Sequence, residues 1–326
     1  VFSNIGFDTF CSMEYMNGLT DSPNGWSNDD VLSREIMKTL DSTSGPDFTM
    51  AITVQSHGKY DGIALDDPTI KVTGAPEGKE QAYEYYVNEI HEVDRMIDTL
   101  IKELSNRKEE TVLVLYGDHL PSLDIQKDDL SNANLYQTQY VVWDNMNLKK
   151  KTKNLHAYQL YAEVLDRIQI HEGMITKYHQ QTKHRSKLYL TGLTTLSYDL
   201  LYGDNYAYDG KNPFKQTELQ MGTEPVKLTS VQKTKSGYRV VGSGFTPYCK
   251  VYYDGTLVES EWISSECLQL QDEFELDEAD KKDSGEPETE VTEPRDVPNA
   301  FVVEVQSDDG VVLSSTQAYP ASQVKK

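Results

Sequence analysis

The sequence predicts an α/β domain on a parallel sheet, followed by a small antiparallel β-sandwich. Three observations carry this. Two short apolar, β-branched-rich runs, Phe48–Gln55 (FTMAITVQ) and Thr111–Tyr116 (TVLVLY), have the pattern of strands buried on both faces. Between them, Glu80–Leu104 carries a helical apolar stripe, which makes a crossover connection. Beyond Val226 the pattern changes to short alternating runs with Asp-Gly turns.

Taken in order, residues 1–26 mix Gly, Asn, Ser and aromatics and read as loop-rich. Ser27 or Asn28 caps a predicted helix with Asp29-Asp30 in its first turn, and Val31, Ile36, Met37 and Leu40 inward. Gly45-Pro46 stops it before the first strand. In the crossover helix Tyr86, Ile90, Val93, Ile97, Leu100 and Leu104 form the stripe, and His91 lies off it. Gln139–Trp143 (QYVVW) is a third predicted strand. The basic run Lys149–Lys153 reads as a solvated loop, because it is short and its flanks are acidic. Ala157–Ile168, with Leu160, Val164, Leu165 and Ile168 inward, and Lys187–Tyr202 follow as helices. His156, His171, His179 and His184 share no spacing with a carboxylate and read as structural or surface residues.

The first domain is expected over residues 1–222 and the β-sandwich over 223–326. Asp254-Gly255 and Asp309-Gly310 mark hairpin turns in the latter. An acidic run at 272–296, with 12 Asp/Glu against 3 Lys/Arg, reads as a disordered insertion between two strands.

Composition excludes whole classes. A formal charge of −22 over 326 residues leaves no broad surface to neutralise phosphates, so a nucleic-acid partner is not expected. Three cysteines are too few for a disulfide scaffold; Cys249 and Cys267 could pair, leaving Cys11 free. No apolar run approaches membrane-spanning length. The opening VFSNIGFDTF has the character of mid-domain sequence, from which a fragment is expected.

The chemistry gathers where the apolar runs end. Ligands in open α/β sheets bind just past the carboxyl ends of strands. Phe48–Gln55 ends in Ser56-His57-Gly58, and Thr111–Tyr116 ends in Gly117-Asp118-His119. If the two strands are neighbours in one parallel sheet, His57, Asp118 and His119 converge on one rim. Asp118 offers a hard oxygen and His119 an imidazole nitrogen, a pair suited to Zn²⁺ or Mn²⁺.

With GFDTF, GWSNDD, AITVQSHGKY, LYGDHLP, VVWDN and LYGDNYAY in place, residues 1–215 resemble the lipoteichoic acid synthase-like phosphoglycerol transferases of the alkaline phosphatase/sulfatase superfamily. The β-rich tail, through GSGFTPYCKVYYDG, is more loosely similar to immunoglobulin-like domains of the IPT/TIG type. The resemblance implies an α/β/α sandwich and one Mn²⁺-type ion, with Zn²⁺ or Mg²⁺ as alternatives. It makes Asp118 and His119 metal ligands, and it sets His57 against the substrate phosphate or the leaving group. The family's Thr nucleophile and metal-binding Glu have no counterpart here, so the isolated chain is expected to be inactive, with an exposed sheet edge. The implied partner is an anionic lipid head group or a glycerol-phosphate polymer. The implied setting is the extracytoplasmic face of a bacterial membrane, reached through an anchor N-terminal to Val1. A sulfatase or phosphoethanolamine transferase on the same fold, and a non-catalytic surface spacer, are the alternatives.

Overall fold

A computed structural model describes residues 1–271, 274–276 and 293–325. In chain order, the loop-rich start holds one two-residue strand, β1 (Thr9–Phe10). Helix α1 (Val31–Asp41) follows, then the long α2 (Glu80–Asn106). Strands β2 (Val112–Tyr116) and β3 (Tyr140–Asp144) lead into helices α3 (Ala157–Arg167), α4 (Met174–Gln181) and α5 (Tyr189–Leu201).

The predicted parallel sheet is not what these residues build. β2 pairs antiparallel with β3, Val114 opposite Val142 and Tyr116 opposite Tyr140. Phe48–Gln55 runs outside any strand, and Phe48, Met50 and Ile52 are 68%, 52% and 65% exposed. A strand needs a neighbour for its backbone groups, and among the described residues no ladder reaches this segment. β2 is accordingly half-buried rather than covered on both faces, and α2 does not join two strands of one sheet.

The crossover helix forms as expected, but its buried face is turned from the predicted stripe. Ala82, Tyr85, Asn88, Glu89, Val93, Met96, Leu100 and Leu104 face inward, while Ile90 is exposed. Tyr85 and Met96 displace Tyr86 and Ile97 by one position each. Tyr85 and Ala82 pack with Tyr60 and Leu123, which come from the two site-bearing loops, and Tyr86 sits half-buried against the same cluster. Helix α1 starts at Val31 with Asp30 at the N-cap position and no side-chain capping bond, so neither Ser27 nor Asn28 caps it.

Helix α4, not expected from the sequence, closes a small aromatic cluster. Buried His179 places Nδ1 2.6 Å from the Tyr189 hydroxyl, and Gln159 donates to the same oxygen at 3.1 Å. The Nε2 of His184 meets the His179 carbonyl at 2.8 Å, so both histidines are structural, as expected. Burial, and then the neighbouring His184, push the His179 pKa below its ordinary value of 6.5. A base depressed on folding contributes stability that is complete above its unfolded pKa and lost as pH falls through that value. Protection factors of the α4 amides, taken relative to the intrinsic exchange rate at each pH, should therefore fall below about pH 6.5, and His179→Gln should remove that pH dependence.

The C-terminal part opens with β4 (Gln220–Met221), which pairs in parallel with β1. Strands β5 (Lys227–Thr234), β6 (Gly237–Ser243), β7 (Cys249–Tyr253) and β8 (Thr256–Val258) follow. After them come β9 (Ser260–Ser264), β10 (Cys267–Leu270), β11 (Ala300–Gln306), β12 (Val312–Ser315) and β13 (Tyr319–Pro320). One sheet has the order β5-β6-β10-β9, the other β12-β11-β7-β8 with β13 also on β11. Val231, Val240, Leu268 and Leu270 of the first meet Val251, Phe301, Val303 and Val305 of the second in one buried core. Asp254 and Gly255, both at positive φ, make the tight turn from β7 to β8. Tyr15, from the chain's start, is also in this core, and its hydroxyl donates to Ser314 Oγ at 2.7 Å.

The predicted disordered insertion 272–296 needs narrowing. Leu276 is buried, Phe274 packs edge-on to Phe301, and Arg295 pairs with buried Glu304, so both ends belong to the sandwich. The remainder of the run lies outside the described residues. Cys11, Cys249 and Cys267 are all free thiols. In the basic run, Lys149, Lys150 and Lys151 are exposed, and Lys153 pairs with Glu163. Among the described residues, no helix is long and apolar enough to cross a membrane.

Candidate active site

The loops that follow Gln55 and Tyr116 meet, although their parent segments are not paired strands. Tyr60, just past Ser56-His57-Gly58, is buried and donates to the Ser56 carbonyl at 2.9 Å. Leu123, just past Gly117-Asp118-His119, packs into the same cluster with Ala82 and Tyr85 of α2. One apolar cluster thus draws both loops together. Gly58 sets their closest approach, since a Cβ there would collide with Ser122 Oγ.

The rim holds both imidazoles, with ring centroids of His57 and His119 6.2 Å apart. Each ring is oriented in the same way. His57 Nδ1 lies 3.0 Å from the Gly58 carbonyl, and His119 Nδ1 lies 2.8 Å from the Leu120 carbonyl. A carbonyl only accepts, so these contacts put the proton on Nδ1 and leave each Nε2 with its lone pair. Metal-binding histidines are commonly held in this manner.

Asp118 folds back onto its own turn. Its Oδ1 accepts from the His119 backbone N–H at 2.8 Å, and its Oδ2 lies 3.6 Å from His119 Nε2. Both side chains are open to solvent, Asp118 at 80% and His119 at 63% exposure. An Nε2 lone pair beside a carboxylate oxygen fits one edge of a divalent-metal shell. Among the described residues no group of three His, Cys, Asp or Glu stands close enough to complete a shell. The site therefore offers two donors, with a second imidazole, that of His57, packed beside them.

The ends of β2 and β3 hold the GDH turn. Gly117 N–H donates to the Gln139 carbonyl at 3.2 Å, and the Thr138 hydroxyl donates to the Gly117 carbonyl at 2.6 Å. On the SHG side, Asp29 replaces a missing strand neighbour. Its buried carboxylate accepts from Val54 N–H at 2.9 Å and Gln55 N–H at 3.0 Å, while the Gln55 side chain accepts from Asp29 N–H at 2.9 Å. Burial pushes the Asp29 carboxyl above its ordinary range, and the two backbone donors pull it back.

The sequence alone marks Asp29 only as a first-turn acid, and it gives no role to Asn24 or Trp26. Both of the latter lie against the SHG turn. Asn24 Nδ2 donates to the His57 carbonyl, and the Trp26 indole packs edge-on against the His57 ring at 5.1 Å between centroids. The GWSNDD segment is the available signal, but nothing in its composition shows which loop it would clasp.

Comparison with known proteins gives the family. The family model described as Sulfatase matches residues 1–170, a span that contains GWSNDD, SHG and GDH. A "Putative cyclic beta-1,2-glucan modification protein" of Rhizobium meliloti (strain 1021) is 31% identical over a stretch that takes in 46% of this chain and 26% of that protein. The chain thus spans about a quarter of that relative's length. Among solved structures, the Streptococcus pyogenes phosphoglycerol transferase GacH, in complex with sn-glycerol-1-phosphate, is partly similar. The TM-score is 0.46 at 18% sequence identity, over 61% of this chain and 55% of that one. The family match covers more than half of the 326 residues and takes in both halves of the rim: the chain belongs to the sulfatase family.

Proposed function

We propose that this chain is part of a metal-dependent phosphoglycerol transferase of the lipoteichoic acid synthase type. Its donor is a phosphatidylglycerol-like lipid at the extracytoplasmic face of a bacterial membrane. The observation that supports this is the rim itself, where two imidazoles with Nε2 lone pairs stand beside an open carboxylate, at the ends of the SHG and GDH segments.

Asp118 and His119 would hold a divalent ion, Mn²⁺ by the family resemblance. Bound there, it supplies charge neutralisation at the phosphoryl oxygens and lowers the pKa of an attacking hydroxyl. His57 serves the other end of the displacement. Its Nε2 lone pair would first take up a proton from solvent, and as the phosphorus–oxygen bond to the departing alcohol breaks the ring would hand that proton to the oxygen and return to its neutral Nδ1–H form. Nδ1, held by the Gly58 carbonyl, keeps the ring aimed during the transfer. The nucleophile, a Thr by the resemblance, and the remaining Glu ligand lie on this reading in polypeptide outside these residues. The acceptor is a hydroxyl of a glycerol-phosphate polymer, and the name of the Rhizobium relative adds a glucan hydroxyl as a second class.

The test is diacylglycerol release from phosphatidylglycerol vesicles with Mn²⁺, by the polypeptide that carries this chain with its upstream sequence. Asp118→Ala should abolish turnover, and His57→Ala should slow it roughly 10²–10⁴-fold, the usual worth of a general acid. Turnover only of a sulfate ester or a phosphoethanolamine lipid would replace the substrate assignment. Turnover of none of them would leave the surface-spacer reading.

A further inference from the structure

The geometry points to the Thr20–Asp29 segment as the positioning element of His57, with Asn24 and Trp26 as its positioning residues. This rests on the reading of His57 as a group of the reaction. The segment is a tight hairpin. Ser22 N–H donates to the Trp26 carbonyl at 2.7 Å, Asn28 N–H to the Thr20 carbonyl at 2.7 Å, and Gly25 takes the positive φ of the turn. Inside it, Asn24 Oδ1 accepts from the Ser22 hydroxyl at 2.6 Å and from Trp26 N–H at 3.2 Å, which fixes the Asn24 amide.

From that frame the segment grips the SHG backbone at four places. The Asp29 carboxylate takes the N–H groups of Val54 and Gln55. The Asn24 amide donates to the His57 carbonyl at 3.0 Å, and the Trp26 indole N–H donates to the Gly58 carbonyl at 3.0 Å. Acceptors meet donors, and donors meet acceptors, as a paired strand would provide. Residues 48–55 have no strand neighbour among the described residues, so side chains of this hairpin, rather than a ladder, hold the turn.

The consequence for His57 follows from the Gly58 carbonyl. It receives the Trp26 N–H and also faces His57 Nδ1, both at 3.0 Å. A carbonyl oxygen has two lone pairs, enough for both donors. Trp26 therefore orients the oxygen that sets the tautomer and direction of His57, and its indole edge packs on the ring. The His119 ring packs edge-on to the same imidazole. Neither Asn24 nor Trp26 needs to touch substrate for this role.

The experiment is proton NMR of the histidine rings in this 326-residue chain. In the unaltered protein, His57 ring protons should show an indole ring-current shift and cross-peaks to His119. Asn24→Asp is isosteric and keeps Oδ1 for Ser22 and Trp26, but it loses the donor to the His57 carbonyl. It should erase both signatures although Asn24 does not touch the ring, while the His179 resonances stay unchanged. Trp26→Phe keeps an aromatic edge but lacks the indole donor, and it should also lose the His57–His119 cross-peaks. His57 resonances and cross-peaks that survive in both folded variants would overturn the inference. Should Asn24→Asp lose its fold, Trp26→Phe alone decides. Failure of the transferase reading would show differently, as no diacylglycerol release in the assay above while these ring signatures of the unaltered chain stand.

Discussion

Asp29→Ala should destabilise the SHG half of the site by roughly 2–5 kcal/mol, the cost of leaving buried hydrogen-bonding groups unpaired. The side chain belongs to a residue only 2% exposed, and it is the acceptor for Val54 N–H and Gln55 N–H. Truncation leaves both donors unpaired, the Gln55 N–H in a buried residue and the Val54 N–H in a half-buried one. The buried Gln55 side chain keeps its bond to the backbone N–H of residue 29 in this variant, so the loss is confined to the two donors. Asp29→Asn keeps one acceptor oxygen and should cost less than half as much. Hydrogen exchange at Val54 and Gln55 is the direct readout: protection should collapse in the alanine variant and persist in part in the asparagine variant. Because the effect is local, amides in β5–β7 should keep their protection. Unchanged exchange at Val54 would show that the strand-like grip on this segment comes from elsewhere.

Arg295→Met should have a comparably large effect at the other end of the chain. Glu304 in β11 is 1% exposed, and its partner is the Arg295 guanidinium, with Nε donating at 2.8 Å and Nη2 also in contact. Gln306 Nε2 adds a donor at 2.8 Å, and the guanidinium lies over the Tyr252 ring, 4.1 Å from its centroid. Removing the arginine strands the buried Glu304 charge, at a cost toward the lower end of about 3–5 kcal/mol because Arg295 is itself 31% exposed. Methionine keeps much of the packing volume, so the loss isolates the charge. The pair itself is no great source of stability, because the carboxylate was taken out of water to make it. Arg295→Met combined with Glu304→Leu should therefore recover most of the lost stability in a urea titration. A double variant as unstable as the single one would mean that packing around Arg295, not its charge, is what matters.

The same arginine shows where the sequence can be read and where it cannot. It lies in the acidic run 272–296, whose composition argues for disorder, yet it reaches back to a carboxylate in the core of a strand. Composition averages over a window, whereas one long side chain can anchor the end of that window. The α2 stripe shows a similar limit. Periodicity locates the helix to within two residues at its C-terminal end, but Tyr85 and Tyr86 are equally apolar neighbours. Tyr60, distant in the chain, packs against both, and Tyr85 ends fully buried while Tyr86 is half-buried at the edge of the same cluster.

For the site, the residues are legible and their support is not. His57, Asp118 and His119 stand out as polar groups closing apolar runs, and the structure gathers all three on one rim. The expected route to that rim is a shared parallel sheet. The structure reaches it instead through an apolar cluster under the loops and a hairpin that makes hydrogen bonds in place of a strand. Such pairing between distant loops leaves no periodic trace, because each contact uses a single side chain.

The most direct test of the metal site is Mn²⁺ titration of the 326-residue chain, followed through paramagnetic broadening of its seven histidine ring signals. An ion held by Asp118 and His119 predicts that His119 and then His57 broaden before His91, His156, His171, His179 and His184, and that Asp118→Ala removes this order. Broadening spread over the acidic surface, with the same pattern in Asp118→Ala, would contradict a metal site at Gly117-Asp118-His119.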